Sequence, residues 1–279
     1  MGLGGDFMCA AAAREISQCL DKKIYFVSYK SSKRKILRIT SPSWSPVFEN
    51  NPYISKYPSN DSITINRSLK GISYVEKELK DKFIWKKEKH AVEIICDFFQ
   101  IKPRSIEPEI FYSNSEINWF NGYKKKLPKK YLTIEPMSKL EFTPNRAWAF
   151  DNWQKLVQKL KNHYNIIQLG IKTTRPLEGV KLINNVSFRQ AGLIIANSEA
   201  FLGTVGGLMH LARAVKTKSI ILHSGFEPLY CTSYPSNINI FRDYECSPCG
   251  LKTKCNLDVK CLNEISYQEV LETVLRELG

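Results

Sequence analysis

The chain has 279 residues, 43% hydrophobic and 11% aromatic, enough apolar surface for one large core or two ordinary ones, which excludes a disordered chain. No run of about 18 apolar residues is present and the start MGLGGDFMCAAAAREI is soon polar, so neither a helical membrane span nor a secretory leader is expected, and the protein reads as cytoplasmic. With 41 Lys and Arg against 27 Asp and Glu, the formal charge is +14, a field that draws nucleotides, nucleic acid, phosphorylated glycans or an anionic membrane face.

The first segment, GLGGDFMCAAAAREISQCL, reads as a Gly-rich turn running into a helix with Met8, Ala12, Ile16 and Leu20 on one face. Asp6 lies at the mouth of that turn, where a carboxylate serves as a helix N-cap or as a general base facing a cleft. A strand of the buried type follows over 24–27. Residues 36–70 carry Pro42, Pro46, Pro52 and Pro58 and read as loops with short strands such as 62–65. Helical spacing returns with Ala91, Ile94, Ile95 and Phe98 behind Glu88 and His90, and 101–113 reads as a loop and a strand.

Basic clusters occur at 30–38, 80–89 and 124–130, the last with five lysines in seven positions. Each is most simply a solvated face, and none is framed by a nucleic-acid module, so no nucleic acid partner is expected. Between 113 and 130 the composition turns polar and lysine-rich, ending in Leu127-Pro128, which places a boundary between a first domain, 1–126, and a second, 127–279.

Beyond the boundary the pattern is cleaner. A strand over 131–134 precedes a helix with Trp153, Leu156, Val157 and Leu160 on one side, opened by Asp151 and Gln154 at capping-box spacing. Strands at 166–169 and 181–183 lead to a helix carrying Ala191, Ile194 and Ile195 behind a second box, Ser187 and Gln190. In 198–219, SEAFLGTVGGLMHLARAVKTKS, Phe201 and Leu202 end a strand and Gly203, Gly206 and Gly207 allow a sharp turn. Leu208, Leu211, Ala212 and Val215 then recur at helical spacing, and a strand begins at Ser219. Such a turn leaves N–H groups unpaired at a helix start, a natural seat for phosphate, with His210 in the first turn. Ser266 with Glu269 forms a third box, and Ile265 can staple onto Val270. Alternating strands and helices argue for a parallel, doubly wound α/β sheet whose ligands bind beyond the strand C-terminal ends.

Cys9, Cys19, Cys96 and Cys231 are scattered and read as small apolar residues. Cys246, Cys249, Cys255 and Cys261 instead lie within 16 residues and suit tetrahedral zinc or a single iron, the alternatives being reduced thiols in a loop or disulfides.

The string GGLMHLARAV resembles the donor-site segment of glycosyltransferase family 9, the family of bacterial heptosyltransferases. LGGDFMCAAAAREI at the start, NPYI at 51–54, the helix near His90 and IEPMSK at 134–139 are similar to the family as well. PNRAWAFDNW supplies Arg146 and Trp148, which resemble a basic-x-Trp element whose cation meets the donor diphosphate, and CSPCGLKTKCNLDVKCL resembles an iron-binding finger of some members. The resemblance implies two Rossmann-like domains facing a cleft, the B-type glycosyltransferase fold. It implies inverting, metal-independent transfer of a sugar, heptose from ADP-heptose, to a lipopolysaccharide-type or protein acceptor.

Asp6 would be the catalytic base, and Arg146, Thr204, Gly206, Gly207 and His210 would hold the nucleotide-sugar donor. The four cysteines of a finger at 246–261 would hold structural iron or zinc, with no catalytic cofactor. The basic clusters would attract an anionic, lipid-linked glycan at the inner membrane face.

Two departures stand out. Only Met1 precedes Gly2, so the strand that the family places before the Asp loop is expected to be missing. Val205 stands where heptosyltransferases usually carry an acid, so the donor sugar is left open. The alternative within this fold is a non-catalytic nucleotide-sugar-binding or assembly protein.

Overall fold

The computed structural model describes residues 2–30, 39–86, 88–136 and 142–279. Residues 31–38 of the first basic cluster, Lys87 of the second, and residues 137–139 of the IEPMSK motif lie outside the described residues.

The helix expected at the start, α1 (Leu3–Leu20), begins at once, with no Gly-rich turn before it. It is not amphipathic either: every residue from Gly5 to Ile16 is buried, while Leu20, expected on the apolar face, is 43% exposed at the C-terminal end. Small side chains at Ala10 to Ala13 let neighbours close in from several directions, so one helix forms contacts with β1, α2, α6 and the single turn Pro46–Phe48.

β1 (Lys23–Lys30) runs antiparallel to β2 (Ile39–Pro42) and parallel to β3 (Ile54–Ser55) and β4 (Ser62–Asn66), with Ile24 opposite both Ile54 and Ile63. A separate antiparallel hairpin, β5 (Val75–Glu78) and β6 (Phe83–Trp85), follows. α2 (Ala91–Asp97) is opened by a capping box of His90 and Glu93.

The strand expected within 101–113 is absent. Pro103 and Pro108 remove donors that a ladder needs, and Arg14 satisfies the carbonyls of Ser105 and Glu107 instead, at 3.0 Å each. The polar stretch in which the domain boundary is expected opens with a helix, α3 (Asn114–Tyr123). Ser113 and Glu116 form its capping box, and Arg189 of the following half anchors it through Glu116 (2.6 Å).

The second half is a six-stranded parallel sheet. In chain order come β7 (Tyr131–Glu135), α4 (Phe150–Leu160), β8 (Asn165–Leu169), β9 (Lys181–Ile183), α5 (Phe188–Ala196), β10 (Ala200–Thr204), α6 (Gly207–Ala214), β11 (Ser219–His223), α7 (Leu229–Thr232), β12 (Ile238–Phe241), α8 (Lys260–Asn263) and α9 (Tyr267–Leu278). The strand order is β12-β11-β10-β7-β8-β9, doubly wound, with the direction of winding reversing between β7 and β10. Leu132 and Ile134 face α4 and α9, whereas Tyr131 faces α5 and α6.

Ser187 and Gln190 cap α5 as expected. Asp151 does not cap α4: the helix starts one residue earlier, Asp151 sits in its first turn, and the Gln154 amide binds the backbone of Glu178. Ser266 accepts the Glu269 N–H at 3.1 Å, but the Glu269 carboxylate turns to Arg242 at 2.5 Å, leaving half a box. No described helix is long and apolar enough to cross a membrane.

The two halves share one apolar core, continuous from α1, β1 and α2 into α5 and α6. At the contact a Cβ on Gly4 would lie 2.7 Å from the His210 ring, which a hydrogen bond to Tyr234 holds in place. Gly4→Ala should therefore destabilise the protein by about 1–3 kcal/mol from overpacking, against the roughly 1 kcal/mol gain that alanine brings to a helix. Urea unfolding measures it; a neutral or stabilised variant would show that the helices can separate without penalty.

Candidate functional site

Two helix starts meet where the halves touch. α6 follows Gly206, whose backbone is extended and supplies no capping side chain, and α1 follows Gly2 in the same way. A Cβ on Gly207 would lie 3.4 Å from the Leu3 Cβ, so the two ends abut. Each presents unpaired N–H groups and the positive end of a helix dipole, and two such ends in contact favour an anion between them.

Asp6 is in the first turn of α1, not at the mouth of a loop, and it caps nothing. Its carboxylate is 7% exposed, accepts the Ser45 hydroxyl at 2.6 Å and pairs with Arg67, which also donates to Ser43 at 2.9 Å. Gly4 and Phe7, on either side of it in sequence, are the residues that touch His210. Asp6 and His210 thus belong to one seam, with Asp6 turned toward Ser45 and Arg67.

The His210 Nδ1 bonds the Tyr234 hydroxyl at 2.6 Å. Burial, aided by nearby His90, Arg146 and His223, pushes the imidazole down to about 3, so it is neutral at ordinary pH. The Tyr234 ring lies 5.5 Å from both His210 and His90. His90 accepts the Val92 N–H on Nδ1, which leaves its proton on Nε2, a buried donor with no partner among the described residues. Burial holds His90 and His223 neutral too, at about 4.

At the point where winding reverses, Thr204 ends β10 and Glu135 ends β7. Among the described residues, the fully buried Thr204 Oγ1 and the Glu135 Oε2 have no hydrogen-bond partner. Burial pushes the Glu135 carboxyl up to about 8. Thr204 was expected here; Glu135 was not, although an acid ending an apolar strand is a readable signal.

Arg146 is not a free cation. It is held by Glu227 (Nε to Oε2 2.9 Å, Nη2 to Oε1 2.7 Å), its guanidinium 5.0 Å from the Phe142 ring and 4.9 Å from Phe226. Trp148 is buried and donates to the Ile265 carbonyl at 3.0 Å, so it secures the turn from within the core.

The four clustered cysteines are free thiols. Cys249 and Cys261 each feel the charges of Cys246 and Cys255, and burial raises both thiols. Backbone N–H groups of Gly225 and Leu257 donate to the sulfurs of Cys261 (3.2 Å) and Cys255 (3.4 Å), the kind of donor that supports a metal-bound thiolate. Among the described residues no three His, Cys, Asp or Glu side chains stand in a metal-holding arrangement.

A model of glycosyltransferase family 9 (heptosyltransferase) matches residues 85–260, more than half of the chain. Among solved structures, the chain is similar to Escherichia coli ADP-heptose lps heptosyltransferase II, at TM-score 0.64 and 15% identity over 99% of this chain and 96% of that one. It is also similar to the iron-containing dodecameric glycosyltransferase TibC from enterotoxigenic E. coli H10407, at TM-score 0.61 and 14% identity over 83% of this chain. The same heptosyltransferase in complex with ADP-D-beta-D-heptose matches at TM-score 0.57 and 13% identity over 81% of this chain. The chain spans 64% and 62% of the length of these two TibC chains. These likenesses place the fold with the two-domain B-type glycosyltransferases. No curated protein sequence matches the chain.

Glu135 yields a pH test. Its carboxyl ionises near the ordinary 4.5 when unfolded and near 8 when folded, so between these values the unfolded chain releases a proton that the folded chain keeps. The native protein therefore loses stability as pH rises through that window. Glu135→Gln removes this loss, and its advantage over the native chain should grow from pH 5 to pH 8 in urea melts. The buried histidines act alike in both proteins and cancel; an advantage that does not change with pH would refute the assignment.

Proposed function

Because the chain belongs to glycosyltransferase family 9, we propose that it transfers a sugar, heptose from ADP-heptose, to a lipopolysaccharide-type glycan or a protein acceptor with inversion. The observation that carries this reading is the meeting of two uncapped helix starts beside the point where the second sheet reverses its winding. A nucleotide diphosphate placed there gains the N–H groups of Gly206 and Gly207, the positive end of α6, the hydroxyl of Thr204 and the guanidinium of Arg146. His210, being neutral, would contribute a hydrogen bond rather than a charge.

In the transfer, Asp6 takes the proton of the acceptor hydroxyl as its oxygen bonds to the anomeric carbon. The bond from that carbon to the diphosphate oxygen breaks, and its electron pair leaves with the nucleotide. For this, the buried Asp6 must exchange Arg67 for the acceptor. On this reading residues 1–126 form the acceptor side and 127–279 the donor side. The net charge of +14 would draw an anionic, lipid-linked acceptor to a cytoplasmic enzyme working at the membrane face.

Cys246, Cys249, Cys255 and Cys261 would hold a thiophilic ion in a structural role, either zinc or iron, the metal that TibC contains. Such an ion would supply cross-linking of the finger. Elemental analysis of purified protein should find about one equivalent, and neither metal being present would remove the finger.

A second reading, a non-catalytic nucleotide-sugar binder, is favoured by the engagement of Asp6 with Arg67 and by Val205 in place of an acid. Transfer and donor-hydrolysis assays separate the two. Asp6→Asn should abolish transfer while ADP binding by calorimetry persists, and full turnover by that variant would end the role of Asp6 as base. Arg146→Ala should weaken ADP about tenfold, about 1.4 kcal/mol.

A further inference from the structure

Arg146 stands at the end of a single 3-10 turn, Pro144–Arg146, in a loop between β7 and α4. A loop does not by itself fix a long side chain, yet a cation that grips a diphosphate must be held to within about 0.5 Å. Something else must place it.

The neighbouring residue does so from one side. The Asn145 side chain, 2% exposed, donates to the carbonyls of Leu251 (2.9 Å) and Thr253 (2.8 Å) and accepts the N–H of Cys255 (3.1 Å). Thr143 adds a bond from its hydroxyl to Leu251 at 2.9 Å and accepts the Asn145 N–H at 3.2 Å. Three hydrogen bonds on one buried amide, all to the backbone of the cysteine segment, leave the turn little freedom.

Glu227 does so from the other side, on a loop hung from the same segment. Cys249 N–H donates to Gly225 (2.8 Å), Gly250 N–H donates to Phe226 (2.9 Å), and Gly225 N–H donates to the Cys261 sulfur (3.2 Å). The contacts have no slack: a Cβ on Gly225 would collide with the Ser247 hydroxyl. The first half reaches the same frame through its hairpin, with Phe83 N–H to Gly250 (2.8 Å), Lys252 N–H to Asp81 (2.9 Å) and the Trp85 indole to Phe226 (3.1 Å).

We propose that Asn145 and Glu227 are positioning residues for Arg146, with the cysteine segment as the rigid frame that carries both, so that donor affinity depends on residues that never touch the donor. This rests on the reading of Arg146 as a diphosphate-binding residue.

The test is a double-mutant cycle with ADP as the probe, read by calorimetry on the full chain, with thermal melting as a check on folding. Asn145→Ala should raise the ADP dissociation constant about tenfold, and Asn145→Ala with Arg146→Ala should be no worse than Arg146→Ala alone, because both remove one interaction. Glu227→Gln, which keeps the side-chain shape and guards against a misfolded Asn145 variant, should raise it at least threefold. If Arg146→Ala weakens ADP while Asn145→Ala and Glu227→Gln lower only the melting point, or their effects add in full to that of Arg146→Ala, the positioning role is overturned and the donor role stands. Unchanged ADP affinity in Arg146→Ala overturns both.

Discussion

The structure depends on the close contact of α1 with α6. A helix buried on every side from Gly5 to Ile16 can exist only if its neighbours approach closely, and the run Ala10 to Ala13 with Gly4 near the start permits that. The contact carries one apolar core across from the first half into α5 and α6, brings two positive helix ends together, and takes Asp6 out of water. Each consequence demands compensation. Arg67 and Ser45 compensate the carboxylate, and an anion between the helix starts would compensate their dipoles.

Charge in this chain is divided by depth. The surface carries the +14, which acts at a distance on anionic partners, while the interior is kept close to neutral. His90, His210 and His223 are uncharged because burial disfavours their cations, and Glu135 keeps its proton for the same reason. The buried charges at the seam and beside Arg146 come as pairs, Asp6 with Arg67 and Arg146 with Glu227. With its cations paired at the edge, the interior buries no lone charge.

The second half was legible because its strands and helices alternate with short loops. The Ser187 box, the strand ending near Leu202 and the helix after Gly207 all follow from local rules. The first half was less so, since α1 shows no apolar stripe once every face is covered, and periodicity cannot foresee neighbours on every side. The stretch at 101–113 had apolar residues enough for a strand, but its prolines and the long-range carbonyl contacts of Arg14 decided otherwise. The turn that opens α6 was readable from its glycines. The long-range partners of the candidate residues were not: Arg67 lies 61 residues from Asp6, Tyr234 lies 24 from His210, and Glu227 lies 81 from Arg146. No local pattern links residues that only the folded chain brings together.

Asp6 and Glu227 each pair with a cation of their own half, so neither ion pair crosses the contact of α1 with α6. Removing one member of a buried ion pair costs about 3–5 kcal/mol when the other is left unpaired, so neither pair should part in an empty protein. On the proposed function, a diphosphate would bind Arg146 while Glu227 keeps hold of it, and an acceptor hydroxyl would give Asp6 a hydrogen-bond partner in place of Arg67. What holds α1 against α6 is therefore their apolar contact and not either ion pair.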